Sequence, residues 1–152
     1  MENLTTTVDY SLNLEQMILA ANYGHVNSDI TPVSFPVRGS GTATLIAQLF
    51  HLDPSASHQD VVREMEKVGF RPANIEELIA YGTIMPNEQW ELDIIGFGSI
   101  GQLDQIEGRW IYGVPRIFRA SQGCELNLTA FGYRDWPKEV RFLGVRVVER
   151  QD

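Results

Sequence analysis

Cysteine is almost missing from this chain: Cys124 is the only one in 152 residues. A single thiol closes no internal disulfide, so a disulfide framework and a paired-thiol mechanism are both excluded within the chain, and a reducing compartment or indifference to redox is expected. A thiolate zinc cluster falls on the same ground. Long apolar runs are lacking too. None approaches the ~20 residues that span a bilayer, so no membrane partner is expected. The first residues, MENLTTTVDYSLNLEQ, carry acids and no lysine or arginine, unlike a secretory signal, and the expected location is cytoplasmic. Histidine is sparse, and His25, His51 and His58 show no H-x-H or H-x-x-x-H spacing, so no metal site is expected. Positive charge is in deficit, 12 Lys+Arg against 20 Asp+Glu for a net charge of −8. Nucleic-acid affinity rests on neutralising phosphates, so that class of partner is excluded. Neither a G-x-S-x-G elbow, a P-loop nor a D-x-D-x-D-G loop occurs.

What is present is globular. A hydrophobic content of 43% and a charged content of 21% suit one domain over residues 1–152. Val8, Tyr10, Leu12 and Leu14 alternate with polar neighbours, predicting a strand over 5–14. Asn13 then caps a short helix ending at Gly24, so residues 1–24 form an N-terminal strand–helix extension. In TATLIAQLFHL (42–52), Ala43, Leu45, Ala47, Leu49 and His51 share one face, while Thr44, Ile46, Gln48 and Phe50 share the other. That predicts a strand covered on both sides.

Ser57 with Asp60 opens a helix whose stripe is Val61, Val62, Met65 and Val68, and Gly69 ends it. Asn74 with Glu77 makes another helix start, closed by Gly82. Between them Pro72 biases Arg71 to an extended backbone and keeps the helices apart, with Arg71 placed to reach carbonyls or a carboxylate. WELDIIGFG predicts a strand, and RWIYGVPRIFRA, CELNLTAFGY and VRFLGVRVVER predict an antiparallel meander. The expected class is α+β: a mainly antiparallel sheet from the C-terminal half, covered by two or three short helices.

Gly69, Arg71, Pro72, Asn74 and Glu77 in GFRPANIEELIAYG, with Gly144 and Arg146 in FLGVRVV, carry a resemblance. GFRPANIEELIAYG is similar to the G-(K/Y)-R-L-P-T-E-A-E-W-E-x-A segment of the formylglycine-generating-enzyme branch of the C-type-lectin-like fold. FLGVRVV resembles that branch's closing x-G-F-R-V-V strand, with Val145 replacing Phe. The resemblance implies a C-type-lectin-like fold. The activity of that branch needs a cysteine pair, which this chain lacks. Over residues 25–148 the chain more closely resembles a set of bacterial proteins of unknown function. They share VNSDIT…FP, G-x-R-P-A-x-x-x-E-L, P-x-x-Q, V-P and F-L-x-V-R in this order, here Val26 to Thr31, Gly69 to Leu78, Pro86 to Gln89, Val114-Pro115 and Phe142 to Arg146.

The remaining motifs bear on function. GFGSIG (96–101) satisfies G-x-G-x-x-G, yet Gly108 interrupts any following helix and RIFRASQG, ~20 residues on, holds no acid. It is expected to be a loop between strands, and no cofactor is expected. Cys124 is expected to be a small hydrophobe. Charge is uneven: residues 1–108 hold fifteen acids and four bases, while residues 109–152 hold five acids and eight bases, seven of them arginine.

Trp90, Trp110, Tyr112, Phe118, Phe131, Tyr133 and Trp136 lie among Arg109, Arg116, Arg119 and Arg134. Trp110, Phe118 and Phe131 are expected in the core, with the arginines paired to the acidic first part. Trp136, in the turn YRDWPKE, is expected to be exposed. The leading functional expectation is a non-catalytic recognition module for a protein or glycan, using Arg109, Arg119, Tyr133, Arg134, Asp135 and Trp136. No catalytic residue is assigned on that reading. The alternatives are a hydrolase using dispersed acids such as Asp53, Asp104 and Glu107, or self-assembly through strand edges.

Overall fold

Strict alternation in Thr42–Phe50 builds the strand on which the architecture turns. Ala43, Leu45, Ala47 and Leu49 enter one apolar cluster, while Ile46 and Phe50 pack against another. Opposite faces of one strand therefore feed two cores, as side-chain alternation requires. A computed structural model describes residues 3–37, 39–132 and 135–151. Among these, the elements are β1 (Leu4–Asp9), α1 (Leu14–Ala21), β2 (His25–Val26), β3 (Thr42–Phe50), α2 (His58–Glu66), β4 (Arg71–Pro72), α3 (Ile75–Gly82), a 3-10 turn (Asn87–Gln89), β5 (Asp93–Ile95), β6 (Gly101–Ile106), β7 (Arg109–Ala120), β8 (Gly123–Ala130) and β9 (Val140–Gln151). The protein is α+β.

The strands form one sheet in the order β1-β3-β9-β5-β7-β8-β2, with β4 added on β9 and β6 on β7. Most pairings are antiparallel; β5 runs parallel to β9 and β2 parallel to β8. The expected meander is half right. β7 and β8 pair as a hairpin, but β9 leaves them to run between β3 and β5. The reason is apolarity on both faces: Leu143 and Val145 enter the first core, and Val140 and Phe142 the second. A strand apolar on both sides belongs at the centre of a sheet. β6 is an additional strand, joined to β7 by Glu107-Gly108, whose positive φ values of 51° and 78° suit a two-residue hairpin turn.

Each helix begins with a complete capping box, at Asn13/Gln16, Ser57/Asp60 and Asn74/Glu77. α1 stops earlier than Gly24, at Asn22 in the left-handed region. α1 and α3 cover the first core, and α2 covers the second, on the opposite face. The two helices flanking Pro72 thus do not share a side of the sheet. The chain passes between the faces through Gly69 (φ 82°) and β4, where Arg71 and Pro72 pair with Val145 and Gly144. Arg146, next on β9, holds its guanidinium 5.1 Å from the Phe70 ring centre.

Candidate functional site

The corner at Pro72 delivers Arg71 to the start of α3, and there it meets Glu77. Arg71 donates through both terminal nitrogens to the Glu77 oxygens at 2.8 and 2.7 Å. Tyr10, just after β1, donates its hydroxyl to Oε2 at 2.6 Å, and the Asn74 amide donates to Oε1 at 2.9 Å. Glu77 is 0% exposed, so these four bonds use the acceptor sites of a carboxylate held away from water. Burial, reinforced by the Glu77 carboxylate, pushes the Tyr10 phenol far above its ordinary range. The hydrogen bonds to Glu77 likewise raise Arg71.

This network lines an open cavity of about 400 Å³ together with Phe35, Ser99 and Arg150. The Ser99 hydroxyl accepts from the Ile75 amide at 2.8 Å, tying the loop before β6 to the helix start. Gly98 reaches so close that an added Cβ would sit 2.6 Å from the carbonyl oxygens of Pro72 and Ala73. The glycine pattern of GFGSIG therefore serves backbone contact with this corner. Glu76 also faces the cavity. It is only 5% exposed, and burial raises its carboxyl above the usual range, with Glu77 adding and Arg71 opposing.

A further feature lies on the β6–β7–β8 arm. Trp110 and Tyr112 occupy alternate positions of β7, hence one face, and are 51% and 41% exposed. Phe131 follows β8 directly across from Tyr112, its amide donating to the Tyr112 carbonyl at 3.0 Å. On the other side, Gln102 pairs with Tyr112 and Gln105 with Trp110. Inward, Phe131 packs against His58 and Phe97, and Phe97 stacks on Phe142. An aromatic strip thus runs from the second core out into solvent. Trp110 and Phe131 are exposed rather than in the core, where their size would place them, and Phe118 is only partly buried.

The residues singled out from sequence are scattered. Arg109 is exposed at the outer end of β7. Arg119 lies ten positions further along, about 33 Å at the usual strand rise, with its guanidinium 3.5 Å from the Trp90 ring centre. Their odd spacing relative to Tyr112 sends both to the face opposite the strip. Asp135 is exposed, with a φ of 66°. Trp136 is buried at 5%, contrary to its expected exposure: its indole donates to the Ala56 carbonyl at 3.0 Å, and its ring meets Phe97 and Phe142. Tyr133 and Arg134 lie outside the described residues.

Among the described residues, the expected pairing of a C-terminal arginine with the acidic first part occurs at Arg116–Asp93, 3.4 Å apart. The dispersed acids have local partners or positions. Asp53 accepts from Ser55, Asp104 from Gln105, and Glu107 occupies the hairpin turn. Among the described residues no three His, Cys, Asp or Glu side chains group to hold a metal.

Cys124 is half-buried on β8 opposite Arg119. Burial pushes its thiol up to about 11, with Arg119 opposing. Since the thiolate is the reacting form, alkylation by iodoacetamide at about pH 8 is expected to run roughly a hundredfold slower than for a free thiol of pKa about 8.5. Mass spectrometry measures this directly, and a rate equal to that of glutathione contradicts it.

No protein-family model, curated protein or solved structure matches this chain.

Proposed function

We propose that the protein is a non-catalytic recognition module that binds a glycan along the β6–β7–β8 arm. The observation that carries this reading is the exposure of Trp110 and Tyr112 on a single strand face, continued across to Phe131. Large aromatic side chains left in water at adjacent positions are characteristic of contact surfaces. Their neighbours narrow the chemistry. A pyranose ring offers C–H bonds on its face and hydroxyls at its rim. Flat aromatic rings suit the first, and the flanking amides of Gln102 and Gln105 suit the rim. Among the described residues the strip contains no arginine or lysine, which favours a neutral ligand over an anionic one.

Edge-to-edge self-assembly has weaker support. β6 is the outer strand of the arm, but its bulge between Gln102 and Asp104 and the charge of Asp104 both blunt an edge.

An oligosaccharide array followed by titration of the strongest hit tests the proposal. Trp110→Ala is expected to weaken binding at least tenfold without moving the melting temperature, since an exposed ring contributes little to folding. Arg119→Ala, on the opposite face, is expected to leave binding unchanged. Background signal for every glycan on the array, or full binding by Trp110→Ala, removes the glycan reading.

A further inference from the structure

We propose that the cavity beside the start of α3 binds a small amino compound, with the ligand's ammonium group seated against Glu76. The two neighbouring acids of α3 have opposite fates. Glu77 is saturated by Arg71, Tyr10 and the Asn74 amide. Glu76, although only 5% exposed, makes no hydrogen bond or ion pair with another described residue; its carboxyl is supported only by its own backbone. Arg71 acts on it only through space, because both terminal nitrogens of Arg71 bond Glu77.

A carboxylate in so little contact with water is favoured by an added counter-charge. Here it borders about 400 Å³ of open space. Burial raises the Glu76 carboxyl above its usual range, with Glu77 adding to the shift and Arg71 offsetting it only in part. An ammonium supplies the missing charge together with three donors, matching an acceptor-only carboxylate. The lining also includes Ser99 and Arg150, whose guanidinium lies 5.9 Å from the Tyr10 ring centre. The cavity therefore also accommodates a polar or anionic end, as in an amino acid. The start of α3 is itself unsuited to anions, because Glu76 and Glu77 occupy its first turn.

The test uses the intact chain and pairs of probes that differ in the amine. L-alanine and ethanolamine are titrated against propionate and ethylene glycol, with amide resonances of Glu76 and Ser99 as the readout. The two amines are expected to shift both resonances saturably, and their deaminated counterparts are expected not to. Glu76→Gln is expected to weaken amine binding at least tenfold while keeping or raising the melting temperature, since it removes a largely buried charge and breaks no bond to another residue. Trp110→Ala is expected to leave amine binding intact, so this site and the glycan surface fail or succeed separately. Equal shifts with propionate and L-alanine, no shift with either amine, or unchanged amine binding by a folded Glu76→Gln variant overturns the proposal.

Discussion

Glu77→Ala is expected to lower the unfolding free energy by about 3–5 kcal/mol, the range for breaking a buried charged pair from one side. Glu77 is 0% exposed and accepts from three different segments: Tyr10 after β1, Arg71 in β4 and Asn74 at the helix cap. Truncation removes the reciprocal half of the capping box and strands the Tyr10 hydroxyl in the interior. Arg71 suffers less, because its side chain is 47% exposed and can turn to water. That asymmetry shapes the companion result. Glu77→Gln keeps the shape and an acceptor for the Asn74 amide, so its loss is expected to fall below that of Glu77→Ala, at about 1–3 kcal/mol. Urea unfolding with unchanged slope reads both numbers. A loss below about 1 kcal/mol for Glu77→Ala would mean that the network contributes little to stability.

The helix starts were legible because they are local. Asn13, Ser57 and Asn74 each stand three positions before the side chain that completes the box, and all three boxes form. The stop-and-restart at Gly69, Pro72 and Asn74 was readable for the same reason, as was the two-sided burial of β3. The position of β9 was not. Its partners β3 and β5 both come much earlier in the chain, with helices or a whole hairpin in between, and strand pairing over such separations leaves no short-range mark.

The cavity was equally hidden. Glu77 is marked in sequence as the partner of the Asn74 cap, but the further bonds from Tyr10 and Arg71 that saturate it, and the lack of such bonds at Glu76, depend on segments distant in the chain or across the corner. The one usable signal was the arginine before Pro72 together with an acid at the cap. It indicated that Arg71 would reach a carboxylate, but carried no sign of the open space beside it. Trp110 and Trp136 were exchanged between surface and core because turn composition is a poor guide where a loop folds back over a sheet. Trp136 packs onto Phe97 and Phe142, while Trp110 and Tyr112 in the apolar run RWIYG stay exposed.

Trp136→Ala supplies the other large effect, an expected loss of about 3–5 kcal/mol as for other buried tryptophans. The ring is 5% exposed, its centre 5.8 Å from that of Phe97 and 5.4 Å from that of Phe142. Its indole nitrogen and its backbone amide donate to the carbonyls of Ala56 and Pro54, at 3.0 and 2.9 Å, pinning the loop that leads into α2. Removal leaves a void beside two aromatic rings and an unpaired carbonyl. At roughly 2–4 °C per kcal/mol for a domain of this size, the melting temperature is expected to fall by about 6–20 °C. Trp136→Phe keeps most of the apolar area and loses the indole hydrogen bond, so a loss of about 1–3 kcal/mol is expected. Calorimetry distinguishes these values, and wild-type melting of Trp136→Ala would return the residue to the surface. The burial also constrains how binding experiments are read. Phe97 links Trp136 to Phe131 and so to the root of the arm, so a Trp136→Ala variant that stops capturing a glycan reports a loosened support. Trp110→Ala, which touches no part of that core, is the substitution that locates the contact.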